Sequence, residues 1–329
     1  MSLNSHPVRR TVVVAGPSEA AAAIAAAGAV VVGIEDAASH EPEVLLARPG
    51  PWPTPLPSWT GGLRWVHLAA GGPEAYPPGL LRARLVTSSR SLHAPQVAER
   101  VLYALLSDLN QGLWVDGPWA PGDHRPAPRR LAGSTVGLVG LGLVGTAVAR
   151  RLLPLGVRVR GIRRRPAAPI PGAQLVNGVE LARDVTELLA TSDAVVLAAP
   201  ATAATGKMIG ASVLGFAKPG LHLINVGAGG VLDHDAVREA LDEGGVRLVT
   251  LDVTDPAPPP AGHWLYEHPR VRLSPAAAGT STHVEAGVIT HFLDNLDRWR
   301  NGRPLLDQVE PVEPVAVESV RRVDAPVRR

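Results

Sequence analysis

Short apolar runs alternate with alanine-rich amphipathic stretches along the first hundred residues. Runs of this length, rich in β-branched residues and separated by a helical stretch, are typical of an α/β domain. The pattern therefore predicts a small parallel sheet. Its predicted strands are residues 11–15, 29–33, 43–48, 63–68 and 83–87, with a helix at about residues 18–27.

A longer amphipathic stretch follows at residues 94–109. Val97, Val101 and Leu105 recur there at helical spacing, which predicts a helix with one apolar face. The next segment, residues 117–128, is rich in glycine and proline and indicates a boundary between domains.

The second half of the chain repeats the alternation of apolar runs and helical stretches, which predicts a doubly wound parallel sheet. Its predicted strands are residues 136–139, 157–162, 194–198, 221–226, 246–252 and 271–274. Apolar spacing at residues 282–299 predicts a helix that returns to the first domain. The expected division is 1–108, 109–281, the returning helix at 282–308, and a tail at 309–329 that is extended or disordered.

The turn after the first strand of the second domain has the spacing GxGxxG, from Gly140 to Gly145. The spacing alone is weak evidence, but an apolar strand precedes it and an amphipathic helix follows, which makes it specific for a dinucleotide. Gly140 permits the tight turn, Gly142 lets the backbone approach a pyrophosphate, and Gly145 lets the helix pack on the sheet. We expect phosphate contacts from the backbone of Gly140, Gly142, Leu143, Val144 and Gly145.

Three consecutive arginines, Arg163, Arg164 and Arg165, stand eighteen residues after Gly145 at the end of the next predicted strand. An acidic residue here would accept the ribose hydroxyls of NAD, whereas arginine pairs with the 2′-phosphate of NADP. The sequence predicts a preference for NADP(H). The alternative is a solvated basic turn.

Composition excludes several other classes of function. The formal net charge is only +2, with 32 Lys and Arg against 30 Asp and Glu, so nucleic acid is not an expected partner. The chain has no cysteine, which excludes disulfides and thiol nucleophiles, and its 11 histidines lack metal-binding spacing. No apolar run is long enough for a membrane span and the start lacks a signal-peptide core, so we expect a cytoplasmic protein.

Several segments together resemble the D-isomer-specific 2-hydroxyacid dehydrogenases. They are residues 138–145, the KPG…IN…D segment at 218–233, the LDV segment at 251–258, the SPAAAG segment at 273–279, and residues 93–99 before the long helix. The resemblance implies a Rossmann-type nucleotide domain joined to a smaller flavodoxin-like α/β substrate domain at residues 1–108. It also implies a homodimer built largely through the helix at Ala94 and the segment leading into the glycine turn. It also implies hydride transfer between a nicotinamide and a 2-keto or 2-hydroxy acid.

The same resemblance implies three catalytic side chains. An arginine binds the substrate, a histidine transfers the proton, and a glutamate hydrogen-bonded to that histidine raises its pKa. Matched by motif, these positions are Ala228, Ala257 and Ala276. Alanine can neither transfer a proton nor pair with a carboxylate, and loss of a general acid typically costs a factor of about 10²–10⁴. His93 and His283 lie near the right segments, but a lone histidine is more often a surface or cap residue.

Other positions carried over by the resemblance are backbone and small side chains. Those near the nicotinamide are Val226, Gly227, Ala228, Asp252 and Gly279; those on the adenosine side are Ala199, Pro200 and Thr205; those for the substrate carboxylate are Ala70, Gly71 and Gly72. Asp252 has the alternative of a strand-end cap. The loop at Gly71 has the alternative of an ordinary glycine turn.

Three functional interpretations stay open on the sequence alone. The protein is an NADP-dependent reductase with weak activity or an unidentified acid, a catalytically silent homologue that binds or senses NADP(H), or a variant engineered to be inactive.

Overall fold

The computed structural model describes residues 12–14, 19–70, 72–109, 129–163, 176–279 and 282–309. Gly71, Arg164 and Arg165 of the predicted site lie outside these residues, as do the Gly/Pro-rich segment 117–128, nearly all of the predicted tail and the side chain of His283.

The first sheet has five parallel strands in the order β2-β1-β3-β4-β5. This is the flavodoxin-like order, as expected. The strands are β1 (Val12–Val14), β2 (Val30–Val32), β3 (Val44–Ala47), β4 (Trp65–Leu68) and β5 (Leu85–Ser88), with helix α1 (Glu19–Ala26) between β1 and β2. β3 and β4 are buried throughout, which explains why they are apolar runs with little alternation.

The second sheet has seven parallel strands in the order β12-β11-β10-β9-β6-β7-β8. Relative to its own first strand, β6, this is the Rossmann order 3-2-1-4-5-6 with a seventh strand added, so the predicted fold class is confirmed. The strands are β6 (Thr135–Val139), β7 (Arg158–Ile162), β8 (Val179–Leu181), β9 (Ala194–Leu197), β10 (Leu221–Asn225), β11 (Val246–Leu251) and β12 (Val271–Leu273). The helices between them are α3 (Leu143–Leu152), α4 (Val185–Thr191), α5 (Ala211–Leu214) and α6 (His234–Asp242).

Helix α2 (Arg90–Leu109) begins four residues before the predicted start at Ala94. Pro95 therefore lies inside the helix, in its second turn. In the structure the extra turn is held by hydrogen bonds from Ser91 to Asp307 and from His93 to Gly279. From Ala98 onward the apolar face of α2 packs in one cluster with α3 and the second sheet.

The C-terminal helix α7 (Thr282–Arg300) packs on the first sheet. Val284, Val288, Phe292 and Leu296 recur every four residues and form one buried stripe. The ring of Phe292 stacks on Trp65 with centroids 5.1 Å apart. The chain therefore passes from the first sheet to the second after α2 and back again before α7. No described helix is long and apolar enough to cross a membrane.

Candidate active site

The glycine turn between β6 and α3 is sterically restricted at two of its three glycines. Gly140 has φ +101°, and a Cβ on it would lie 3.0 Å from the carbonyl oxygen of Ala198. A Cβ on Gly145 would overlap the carbonyl oxygen of Gly140. The close approach of neighbouring backbone therefore requires glycine at both positions.

Gly142 differs, because a Cβ on it would meet nothing within 4 Å. It is the N-cap of α3 and offers no side chain as a cap. The backbone N–H groups of Leu143 and Val144, in the first turn of α3, have no acceptor within the helix. The open space beside Gly142, together with these N–H groups, fits the pyrophosphate of a dinucleotide.

Arg163 follows β7 directly and is half-buried. β7 is the neighbour of β6, and the N–H of Gly140 donates to the carbonyl of Ile162 at 3.0 Å. Arg163 is therefore next to the glycine turn. Its Nε is buried and, among the described residues, has no hydrogen-bond partner.

Two loops at the carboxyl ends of β9 and β10 press against each other. A Cβ on Gly227 would lie 2.6 Å from the carbonyl oxygen of Ala199. Thr205 fixes the first loop, since its hydroxyl donates to the carbonyl of Pro200 at 2.6 Å. Asn225 fixes the second: its amide donates to the carbonyl of Ala228 at 3.0 Å and accepts from the N–H of Gly227 at 3.1 Å.

Asn225 is fully buried, and the sequence interpretation did not include it among the site residues. A polar amide at the end of an otherwise apolar strand is the signal that could have identified it. Its two hydrogen bonds hold residues 226–228, the predicted wall of the nicotinamide pocket.

Asp252, at the end of β11, holds the loop after β12. Its carboxylate accepts hydrogen bonds from the Ser274 hydroxyl, from the N–H of Ala277 at 3.0 Å and from the N–H of Ala278 at 3.0 and 3.1 Å. Asp252 thus has the capping role that was the alternative interpretation, and it positions the loop that contains Ala276.

The three alanines at the expected catalytic positions follow three neighbouring strands. Ala228 comes after β10, Ala257 after β11 and Ala276 after β12, and these strands are adjacent in the sheet. Ala257 and Ala276 are exposed, and Ala228 is half-buried. Ala276 has φ +53°, a left-handed conformation that is uncommon without glycine. The backbone brings these positions to one edge, but their methyl groups cannot bind a carboxylate or transfer a proton.

The residues described so far belong to the second sheet and form one side of a cleft between the two domains. The carboxyl ends of the first sheet form its other side. A partly open cavity of about 110 Å³ lies there, and we call it the substrate-side cavity. Its lining residues are Arg48, Ala69, Ala70, His93, Gly279, Val284, Glu285 and Val288. It includes Ala70 of the predicted carboxylate loop and Gly279 of the predicted cofactor site.

Tyr76 holds the predicted carboxylate loop against the first sheet. Its hydroxyl donates to the carbonyl of Ala70 at 2.7 Å and lies 3.2 Å from the carbonyl of Ala47. Burial raises the pKa of Tyr76 to about 12, so the hydroxyl stays protonated as the donor. Gly72, also predicted for this loop, is buried and precedes a short 3₁₀ helix at Pro73–Ala75.

His93 joins the two sides of the cleft. Its Nδ1 donates to the carbonyl of Gly279 at 2.7 Å, while its Nε2 lies 3.4 Å from the carbonyl oxygen of Ala69. Neither His93 nor Arg48 was among the residues predicted for the site. The sequence offered only a lone histidine near a helix start and a single arginine after a strand.

Comparisons with known proteins agree with this architecture. Residues 98–278, more than half of the chain, match the family model described as D-isomer specific 2-hydroxyacid dehydrogenase, NAD binding domain. An uncharacterized protein in the proB 3′ region of Corynebacterium melassecola is 33% identical over 144 residues, which are 44% of this chain and 46% of that protein. D-3-phosphoglycerate dehydrogenase 2 of Arabidopsis thaliana is 38% identical over 143 residues, 44% of this chain and 22% of that protein. The chain thus matches less than half the length of these curated relatives.

Solved structures match over most of the chain. A D-isomer specific 2-hydroxyacid dehydrogenase from Xanthobacter autotrophicus, in complex with NADPH and MES, is 27% identical with a TM-score of 0.75, over 92% of this chain and 98% of that one. An NADPH-dependent glyoxylate/hydroxypyruvate reductase from Sinorhizobium meliloti, in complex with NADP and malonate, is 28% identical with a TM-score of 0.73, over 92% and 97% of the two chains. With its two parallel sheets, its glycine turn and its matched family model, the chain belongs to the D-isomer-specific 2-hydroxyacid dehydrogenase family, whose members are NAD(P)-dependent.

Proposed function

We propose that this protein binds NADP(H) in preference to NAD(H) and a small 2-keto or 2-hydroxy acid, with weak or absent turnover. The proposal is carried by the difference between the glycine turn and the three expected catalytic positions of the same sheet. The glycine turn keeps the geometry of a dinucleotide site, whereas Ala228, Ala257 and Ala276 replace the arginine, glutamate and histidine that the family resemblance implies.

The residues of this chain have separate roles in that function. The backbone from Gly140 to Gly145 binds the pyrophosphate, and Arg163 pairs with the 2′-phosphate, together with Arg164 and Arg165. Asn225 and Asp252 hold the loops that border the nicotinamide. The nicotinamide, when bound, supplies or accepts the hydride. No side chain at positions 228, 257 or 276 binds the acid or transfers the proton.

Fluorescence titration with NADPH and NADH tests the cofactor preference. We expect NADPH to bind more tightly, and Arg163→Ala with Arg164→Ala to weaken NADPH about tenfold while NADH binding stays unchanged, because only NADPH has the 2′-phosphate. Arg150→Ala is the matched control, since Arg150 is an exposed arginine in the last turn of α3. Equal affinity of the parent protein for the two cofactors contradicts the proposal.

The second candidate is a catalytically silent homologue that senses or stores NADP(H). The same three alanines favour it, and an engineered inactive variant would have the same properties. Tight NADPH binding with no turnover of glyoxylate, pyruvate or hydroxypyruvate distinguishes these candidates from a weak reductase.

We also propose a homodimer and a cytoplasmic location. Tyr103 and Leu106 support the dimer, because they are large apolar side chains exposed on the solvent-facing side of α2, while its apolar stripe is buried within the chain. A monomeric mass in light scattering contradicts it.

A further inference from the structure

The two segments that connect the domains touch each other at the start of α2. Helix α2 leads from the first sheet to the second, and the loop at Gly279 leads back into α7. A Cβ on Gly279 would lie 3.3 Å from Nδ1 of His93 and 3.6 Å from a methyl group of Val97. Any movement of one domain relative to the other must bend the chain at these two connections.

Helix α2 has two parts that are attached to different domains. Its first turn is attached to the first domain, because the Ser91 hydroxyl donates to Asp307, in the C-terminal segment that pairs with β5. From Ala98 onward, α2 packs with α3 and the second sheet. Pro95 lies between the two parts and has no N–H, so the carbonyl of Ser91 loses its hydrogen bond within the helix. The hinge of this connection therefore lies at residues 92–97.

The ring of His93 lies within this hinge, between carbonyl groups of both domains. Its Nδ1 is 2.7 Å from the carbonyl oxygen of Gly279, and its Nε2 is 3.4 Å from that of Ala69, in the loop after β4. A neutral imidazole has one N–H and can donate to only one of these oxygens, whereas the imidazolium donates from both nitrogens. Two facing carbonyl groups therefore suit the protonated ring.

This arrangement links the protonation of one side chain to the freedom of the hinge. We propose that His93 is a pH-dependent lock between the two domains. The protonated ring donates to Ala69 of the first domain and to Gly279 of the second, and so restricts domain motion; the neutral ring keeps only one of these bonds. Histidine is the side chain that ordinarily changes its charge between about pH 5 and 8. The lock concerns motion of the domains and is independent of which ligand the cleft binds.

Three charged groups surround the ring. Arg48, after β3, and Glu285, on α7, line the substrate-side cavity together with His93, and Asp307 accepts from Ser91 in the same turn of α2. The positive charge of Arg48 disfavours a second cation there, whereas the two carboxylates favour it. The other lining residues, Ala69, Ala70, Gly279, Val284 and Val288, have no charge. Loss of Arg48 and loss of Glu285 should thus act on the lock in opposite directions.

The distance between two spin labels, one in each domain, tests the lock. The chain has no cysteine, so two introduced cysteines are the only labelling sites. Ala25→Cys in α1 and Glu239→Cys in α6 use exposed helical positions. Pulsed electron paramagnetic resonance then gives the distribution of label distances from pH 5 to 8.5. We expect a narrow distribution in acid that broadens in one transition as pH rises. A loss of stability in acid would broaden it in the opposite direction.

Four variants of the labelled protein identify the groups responsible. His93→Gln should abolish the transition, because an amide is not protonated in this range. Arg48→Ala should raise the midpoint of the transition by about half a pH unit and Glu285→Gln should lower it by a similar amount. His40→Gln is the matched control and should behave as the parent, because His40 also has Nδ1 against a carbonyl, that of Asp36 at 2.9 Å, but is exposed outside the cleft.

The shifts in Arg48→Ala and Glu285→Gln keep the test decisive even if His93→Gln fails to fold. A distribution whose width does not change with pH overturns the inference. So does a transition that persists in His93→Gln, or a shift in the same direction for Arg48→Ala and Glu285→Gln.

Discussion

The two regions that we propose for cofactor binding and for catalysis, both on the second sheet, differ in the groups they use. In the proposed cofactor region, the groups are backbone N–H donors and the space left by glycines, at positions where neighbouring backbone of the turn and of the loop after β9 approaches closely. At the proposed catalytic positions after β10, β11 and β12, the family resemblance implies three functional side chains, and all three positions hold alanine. A backbone site survives as long as the fold does, whereas a side-chain site is lost by single substitutions. Binding and chemistry are therefore separable in this fold.

Restoring the three side chains should produce the largest change. We expect Ala228→Arg, Ala257→Glu and Ala276→His together to raise the rate of 2-keto acid reduction by a factor of about 10²–10⁴, the usual contribution of a general acid. Histidine tolerates the left-handed backbone at position 276 better than most residues. NADPH consumption with glyoxylate, pyruvate and hydroxypyruvate is the measurement.

The single change Ala276→His is the control for that experiment. The single change should raise the rate of reduction little, because no arginine binds the carboxylate of the substrate and the imidazole has no carboxylate partner. Groups that act as a unit contribute non-additively. An equal gain from the single and the triple variant would show that the positions do not act together.

Replacing either of two glycines in the turn with alanine should separate effects on stability from effects on cofactor binding. Gly145→Ala should lower the free energy of unfolding by about 1–3 kcal/mol, as overpacking does, and weaken NADPH binding, because the new Cβ overlaps the carbonyl of Gly140. Gly142→Ala should leave stability nearly unchanged and still weaken NADPH binding, because its Cβ enters only open space that the pyrophosphate would use.

Chemical denaturation and fluorescence titration on the two variants make this comparison. If Gly142→Ala binds NADPH as tightly as the parent, the open space beside Gly142 is not the pyrophosphate site.

The core of the first sheet contains a buried cluster of polar side chains around His67. His67 in β4 is fully buried, with Nδ1 2.7 Å from the Thr87 hydroxyl and Nε2 2.8 Å from the Ser89 hydroxyl. Burial, aided by nearby His291, lowers the pKa of His67 to about 3. β4 is also the strand that delivers Ala69 and Ala70 to the cleft.

This buried imidazole predicts a loss of stability in acid. Since the folded pKa is depressed, the unfolded chain binds more protons between about pH 6.5 and 3, and stability falls as pH falls through that range. At pH 5 the cost is about 2 kcal/mol relative to pH 7.5. Urea unfolding should show a smaller pH dependence for His67→Gln than for the parent protein, and an equal dependence in the two proteins would contradict this account.

The sequence predicted those features that depend on local spacing. The glycine turn, most strand positions and the C-terminal helix follow from short patterns that the fold preserves. β8 was missed because Val179–Leu181 is three residues long, lies on the sheet edge and exposes two of its three side chains, so it leaves no apolar run. Asp252 was expected near the nicotinamide, and its capping bonds to the Ala277 loop depend on tertiary contacts.

Arg48 shows why the substrate-side cavity could not be predicted. A single arginine after a strand is usual on any surface, and its meaning comes from His93 and Glu285, which other elements bring to the same cavity. Such a constellation is visible only when the chain is folded.

One measurement tests the central claim, that the nucleotide side is intact and the catalytic positions are vacant. On a single preparation of the parent protein, NADPH binding is measured by fluorescence titration and turnover by NADPH consumption with glyoxylate, pyruvate and hydroxypyruvate. We predict saturable NADPH binding together with a turnover far below the enzyme-typical rate of about 10 s⁻¹. A turnover near that rate on any of these acids, or no binding of NADPH, would contradict the account.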